Sequence, residues 1–215
     1  MSSIFRYRRE NGRTYHAYQD RVPPNLEFFA DDLERDWNFH QPFDLIYLRM
    51  MTGSIKDWPR LFEQSFQHLN PGGWIELCDI VNPLVSDDGT LEGTHLLRWN
   101  TLLVEATDNL GVSLRSPKDY KQQLTDAGFK DVTQVEFKWP INPWPKDPKH
   151  KELGAWTQEN LLQAVQALSL MSFTAGLGWS VVEVETLLAL VRKDLKNREI
   201  HAYWPIWVVY GQKPE

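Results

Sequence analysis

From Phe43 the chain reads Phe-Asp-Leu-Ile-Tyr-Leu-Arg49, a nearly unbroken apolar run. That pattern predicts a strand buried on both faces, as in a parallel sheet. Trp58, Leu61, Phe62, Phe66 and Leu69 then recur at helical spacing behind Asp57 and Pro59. This predicts a helix with proline in its first turn. Asn70-Pro-Gly-Gly73 stops it, and Trp74-Ile-Glu-Leu-Cys-Asp-Ile80 reads as the next strand. Strand, helix and strand within about 40 residues predict a right-handed βαβ unit with parallel pairing.

Upstream, residues 25–30 follow a Pro-Pro pair and predict a short strand ending at Asp31-Asp32. Residues 1–24 read as an irregular arm in which Arg6, Arg8, Arg9 and Arg13 alternate with Phe5, Tyr7, Tyr15 and Tyr18. Downstream, residues 90–110 predict an amphipathic helix ended by Gly111. Ser116-Pro117 opens another that ends at Gly128. Residues 132–139 alternate, with Val135, Phe137 and Trp139 on one face, and predict a half-exposed strand. A basic, proline-rich loop leads to helices over 151–173 and 180–196. Ser180 and Glu183 form a capping box at the start of the second. Residues 200–210, aromatic and β-branched, predict the last strand. The order gives an α/β domain over 25–215 with a mostly parallel sheet, preceded by the arm. Ligands bind beyond the carboxyl ends of such strands, which directs attention to residues 31–36, 50–56 and 79–87.

Composition narrows the function classes. Acids outnumber bases 29 to 23 over 215 residues, a net charge of −6, which argues against a nucleic-acid binder. No apolar run reaches 18 residues, so no membrane helix is expected. The amino terminus carries no apolar stretch of secretory type, so the cytosol is the expected compartment, with the nucleus left open. Cys78 is the sole cysteine, which removes disulfides and cysteine metal clusters; it reads as inert core. The six histidines form no ligand pair, so no metal is expected. Gly176-Leu-Gly178 falls between two helices and reads as helix termination, because a phosphate-binding glycine loop must join a strand to a helix. Asp31 and Asp32 read either as a turn and cap or as acceptors for a ligand. Trp144 is either a surface anchor or a pocket wall. The residues alone leave the site of this α/β domain unidentified.

Several blocks go further. Arg9-Glu-Asn-Gly-Arg-Thr-Tyr-His-Ala-Tyr18, Gly53-Ser-Ile-Lys-Asp-Trp-Pro59, Pro71-Gly-Gly-Trp-Ile-Glu-Leu77, Ser86-Asp-Asp-Gly-Thr90, Gly128-Phe-Lys-Asp-Val132, Pro143-Trp-Pro-Lys-Asp-Pro148 and Gly178-Trp-Ser180 occur in order. Together they resemble the fungal LaeA-like S-adenosylmethionine (SAM) methyltransferases of secondary metabolism. The resemblance implies the seven-stranded class I methyltransferase fold with SAM as cofactor. It also exposes a gap. The family's first strand, Gly-rich loop, first helix and second strand lie between the Tyr-His-Ala-Tyr block and the Pro-Pro-Asn block, and here Tyr18 is followed almost at once by Arg21-Val-Pro-Pro-Asn25. By resemblance, residues 25–30, 43–49 and 74–80 correspond to the family's third, fourth and fifth strands.

The missing loop would let backbone N–H groups approach the donor, and the acid after the second strand would hold its ribose. Losing two or three such hydrogen bonds costs about 3–9 kcal/mol. The resemblance leaves Asp32 and Leu33 at the adenine edge, and Arg49, Met50 and Met51 beside the donor. The fold implied is therefore a truncated class I methyltransferase lacking its first two strands, with a hydrophobic edge exposed on the fourth.

The expectation is an accessory or tailoring protein of secondary metabolism with defective SAM binding. The alternatives are an active methyltransferase completed by a partner or a missed exon, and a regulatory partner of full-length relatives. An aromatic metabolite is the expected small-molecule ligand, in a pocket lined by Trp58 and Trp144. Either the third strand moves in beside the fourth, or a homo-oligomer or a complex with a full-length relative covers the open edge. No general base is assigned: Glu76, Asp79 and His95 lie near the expected cleft with structural roles.

Overall fold

The computed structural model describes residues 31–215, Leu26, and the backbone of two short strands, β1 (Arg9–Glu10) and β2 (Arg13–Thr14). The chain divides into two units, Met1–Asp32 and Leu33–Glu215. In the first, β1 and β2 pair antiparallel, Arg9 with Thr14 and Glu10 with Arg13. The remainder of the expected arm lies outside the described residues. So does the expected strand at 25–30, apart from Leu26, which is exposed and not in a strand.

The second unit is built on a four-stranded sheet. Strand β3 (Phe43–Arg49) is followed by α1 (Trp58–His68) and β4 (Leu69–Ile80). Asp57 caps α1 by accepting the Arg60 N–H at 3.0 Å, and Pro59 sits in the first turn as expected. β3 and β4 pair in parallel, from Leu45 opposite Trp74 to Arg49 opposite Cys78. The predicted βαβ unit is therefore present. Asn70-Pro-Gly-Gly73 bulges at the start of β4: the register jumps from Phe43–Leu69 to Leu45–Trp74, and Gly72 takes φ +77°.

Next come α2 (His95–Asn109), a 3-10 turn at Ser116–Lys118, α3 (Tyr120–Asp126) and β5 (Lys130–Pro140). α2 starts later than expected because Thr94, not a residue near 90, accepts the Leu97 N–H and caps it. Ser116 does not cap α3; its hydroxyl turns inward instead. α4 (Pro148–Met171) runs through a π-helical turn, Ser172–Gly176, to α5 (Val181–Leu195) and β6 (Tyr203–Gln212). The capping box of Ser180 and Glu183 forms as expected, and Gly176-Leu-Gly178 lies between α4 and α5.

The sheet order is β3-β4-β6-β5. This α/β arrangement is the expected truncated class I fold. The mostly parallel course is present too: β3, β4 and β5 run in the same direction, and β6 is inserted between β4 and β5 antiparallel to both. The reason lies in the connection. α4 and α5 carry the chain out and back, so β6 begins beside the end of β5, with Tyr203 opposite Pro140.

Two cores result. α1 and α3 cover one sheet face through Trp58, Phe62, Tyr120 and Leu124, against Leu48, Ile75, Leu77 and Val209. α2, α4 and α5 form a second core around Trp99, Phe173 and Leu188, reaching the other face at Ile80, Trp139 and Trp204. The rest of that second face is open. Leu45 is 57% exposed, Tyr47 52%, Trp74 37% and Phe137 55%. Among the described residues β3 pairs only with β4, so the expected hydrophobic edge on the fourth-strand equivalent is present.

Candidate functional site at the carboxyl ends of the parallel strands

At the carboxyl end of β3 the backbone turns sharply. Met50 adopts φ +55°, and its N–H donates to the Cys78 carbonyl at 3.0 Å. The turn swings the following loop over the end of β4, where Asp79 points into the first core and is fully buried. The Thr52 N–H donates to Asp79 Oδ1 at 3.1 Å, and the Tyr120 hydroxyl donates to Oδ2 at 3.0 Å. The Met51 N–H also favours its charged form. The Thr52 and Ser116 hydroxyls lie 3.2 Å apart, and Ser116 lies 3.5 Å from the Tyr120 hydroxyl. These groups form one continuous network, buried at Asp79, Ser116 and Tyr120 and half-buried at Thr52.

Burial pushes the Asp79 carboxyl above its usual range, against the pull of its three donors. Burial, reinforced by the Asp79 charge, pushes the Tyr120 phenol well above its ordinary value. The network therefore holds the loop against the end of β4. Trp58 closes it from the side, its ring 4.4 Å from that of Tyr120, and its indole N–H has no partner among the described residues.

The residues expected at the site are dispersed. Leu33 is half-buried against the first core, and its carbonyl accepts the Trp37 indole N–H at 3.1 Å and Gln64 Nε2 at 3.4 Å. Asp32 belongs to the other unit, is exposed, and donates its N–H to Asp31 Oδ1 at 2.8 Å. Arg49 is exposed, and Met51 packs on the core. Trp58 is core, 4% exposed. Trp144 lies elsewhere, donating its indole N–H to the Ala202 carbonyl at 3.0 Å and stacking on His201 with ring centres 4.9 Å apart. The two indoles are not brought together, because one belongs to α1 and the other anchors the proline-rich loop on the start of β6. Glu76 and Asp79, three positions apart on one strand, face opposite sides of the sheet. His95 opens α2, in the layer of the second core. Cys78 is half-buried, with its thiol pushed up chiefly by burial.

Thr52, Ser116 and Tyr120 escaped sequence reading. One signal was available: an aspartate inside an apolar strand has to find partners. Nothing in the sequence points to Tyr120 as one of them.

Beyond β4 a second buried network holds the chain. Asn100 Nδ2 donates to Asn82 Oδ1 at 3.0 Å, and the Leu84 N–H donates to Asn100 Oδ1 at 2.6 Å. The Ser-Asp-Asp-Gly-Thr block follows. There Asp87 accepts from Lys138 and from the Tyr203 hydroxyl, and Asp88 pairs with His201 Nδ1 at 2.5 Å. Among the described residues no group of His, Cys, Asp and Glu could hold a metal ion, and no helix is long and apolar enough to cross a membrane.

A sheet ordered β3-β4-β6-β5 with antiparallel β6, helices on both faces and polar groups gathered beyond the ends of β3 and β4 defines a domain of the class I methyltransferase type. The methyltransferase-domain family model matches residues 4–134, and the chain belongs to that family. It is 40% identical over 194 residues to the methyltransferase pytC of Aspergillus terreus, covering 90% of this chain and 60% of that protein. It is 35% identical over 201 residues to the secondary metabolism regulator LAE1 of Cochliobolus heterostrophus, covering 91% of this chain and 66% of that one. The chain thus spans about three fifths of the length of these curated relatives. Among solved structures it is similar in fold to a protein described as a methyltransferase from an antibiotic biosynthesis pathway of Anabaena variabilis. That match has a TM-score of 0.55 at 18% identity and covers 89% of this chain and 75% of that one.

Proposed function

We propose that this chain is an accessory or tailoring protein of fungal secondary-metabolite biosynthesis that does not itself carry out SAM-dependent methylation. One observation carries the reading. The backbone N–H groups at the carboxyl end of β3, those of Met50, Met51 and Thr52, are all engaged within the protein, with Cys78 and Asp79. No glycine-rich turn elsewhere in the sequence joins a strand to a helix to replace them. Among the described residues, therefore, no cradle of free N–H groups is offered to the donor's amino-acid tail, which supports the reading. Methyl transfer needs donor and acceptor held close and in line, which half a site does not supply. Calorimetric titration of the purified full-length chain with SAM tests this. No binding at submillimolar concentration is expected. Tight binding followed by methyl turnover overturns the reading.

A second reading is an active methyltransferase whose donor loop comes from a partner or from a missed exon. It is favoured by the identity to pytC, which covers 90% of this chain. Genomic DNA between the codons for Tyr18 and Val22 decides the exon version, because an in-frame stretch encoding Gly-x-Gly-x-Gly would supply the loop. A third reading, a regulatory partner, is favoured by the similarity to LAE1. It predicts that deletion alters the amount of a metabolite and leaves its structure unchanged.

A further inference from the structure

The open face of the sheet carries chemistry unrelated to the Asp79 network. Side chains alternate along a strand, so Tyr47 on β3, Glu76 on β4 and Tyr210 on β6 stand in one row on this face. Leu45, Trp74 and Gln212 form the next row. Neighbours within a row have Cβ atoms about 5 Å apart. Trp74 and Tyr210 meet diagonally, their ring centres 6.0 Å apart at 51°. Between them lies a hollow of about 380 Å³ lined by Leu45, Trp74, Glu76 and Tyr210, with Asp44 at its rim.

The charge in this hollow is uncompensated. The half-buried Glu76 has no hydrogen bond or ion pair among the described residues. Among the described residues Asp44 accepts only the Asn70 amide, at 2.8 Å. Arg49 stands on the same face one row further on, opposite Cys78, and makes no ion pair with Glu76. An unpaired carboxylate flanked by aromatic rings attracts a cation twice, by its charge and by the negative faces of the rings. Leu45 supplies an apolar wall for the body carrying that cation.

We propose that this hollow binds a small organic cation, an ammonium carried on an apolar or aromatic body. The volume suits a ligand of modest size. An anion meets two carboxylates there, and a neutral ring gains apolar contact alone. The inference does not rest on the proposed function. The hollow sits toward the amino ends of β3 and β4, and the network around Asp79 sits at their carboxyl ends on the other face.

Benzyltrimethylammonium is a suitable probe, and 4-tert-butylbenzoate is an anion of similar bulk. Titration of the full chain, followed by calorimetry and by Trp fluorescence, should give saturable binding of the cation and none of the anion. Glu76→Gln should weaken the cation at least tenfold, and Trp74→Leu should do the same. Tyr47→Ala, on the exposed edge strand, is a further variant that leaves the core intact and should weaken binding severalfold. Equal binding of cation and anion overturns the proposal, as does an unchanged affinity in folded Glu76→Gln. Absence of saturable cation binding also overturns it; where the chain then sediments as a dimer with Trp74 protected from quenchers, a second copy occupies the face. SAM is itself a cation, so Glu76→Gln is titrated with SAM as well: SAM binding that survives in that variant lies outside the hollow, and the two readings then fail separately.

Discussion

Tyr120 donates its hydroxyl to the Asp79 carboxylate over 3.0 Å, and neither side chain reaches solvent. One belongs to α3 and the other to the end of β4, so the bond ties a helix to the rim of the sheet. The same carboxylate accepts the Thr52 N–H. A single aspartate thus fixes the shape of the loop that follows β3, and it does so at the expense of its own hydration.

That arrangement sets a pH dependence. Burial raises the Asp79 pKa in the folded chain above the ordinary aspartate value of 3.8. The folded state then holds the proton more tightly than the unfolded one. The contribution of Asp79 to stability is accordingly largest below 3.8 and declines as pH rises to its folded value, above which it is flat. Urea unfolding of wild type and Asp79→Asn between pH 3.5 and about 7 isolates it. The difference between the two proteins should change with pH in that sense, wild type losing ground to the variant as pH rises. A constant difference would show that Asp79 does not titrate abnormally. Tyr120→Phe leaves the carboxylate short of a donor and should lower stability by about 1–3 kcal/mol at neutral pH.

The Ser86–Thr90 block behaves in the opposite sense. Asp88 is held down to about 2, first by the Thr90 hydroxyl and then by His201. Its stabilising contribution is present above the ordinary carboxylate value and is lost as pH falls through about 2. Thr90 also accepts the His201 N–H at 2.9 Å. Thr90→Val should therefore raise the Asp88 titration midpoint, read by carboxyl NMR shifts. It should also accelerate hydrogen exchange at the His201 amide. A midpoint that stays near 2 would assign the shift to His201 and the Thr90 backbone N–H, which the variant keeps.

What the sequence made legible was mostly local. Asp57 with Pro59, and Ser180 with Glu183, are complete caps within four residues, and α1 and α5 start where those residues say. Asn70-Pro-Gly-Gly73 marked a real break, which appears as a bulge because regular pairing resumes at Trp74. The antiparallel course of β6 depends on how two helices pack against each other, and no window of sequence carries that. Ser116 had the spacing of a cap, and a competing partner, the Thr52 hydroxyl 64 residues away, took it. Trp58 and Trp144 lie apart for a related reason: an aromatic residue reads the same whether its ring fills a core or lines a pocket, and the sequence does not say which.

Gly154 marks a close approach within the helical layer. A Cβ placed there would lie 2.1 Å from the Asn142 carbonyl oxygen, inside α4 where the backbone cannot easily withdraw. Asn142 is itself buried and bonded through Nδ2 to the Asn197 carbonyl at 3.0 Å. Gly154→Ala should thus push α4 off the loop that carries Trp144. A loss of about 2–3 kcal/mol is expected, roughly 5–10 °C in thermal midpoint. Gly89→Ser makes a useful contrast, since open space surrounds Gly89 and only its φ of +75° opposes a side chain. Its midpoint should fall by less. Equal losses would mean that the approach at Gly154 relaxes freely.

The outer edge of β3 predicts self-association. Leu45 and Tyr47 are more than half exposed, 57% and 52%, on a strand whose second hydrogen-bonding edge is unpaired among the described residues. Such an edge is a template for another strand. Two copies related by a two-fold axis through Ile46 would pair antiparallel, placing Leu45 of each opposite Tyr47 of the other on one face of a continuous sheet. Edge pairing of this kind leaves the hollow at Glu76 open, because it joins sheets side by side. Sedimentation velocity across a hundredfold range of concentration should show the chain shifting from monomer toward dimer. Leu45→Lys places a charge at the joint and should hold the chain monomeric without lowering its thermal midpoint, since the side chain contributes little to the core. Wild type that stays monomeric throughout that range, or a Lys variant that dimerises equally well, would mean that something other than β3 governs the oligomeric state.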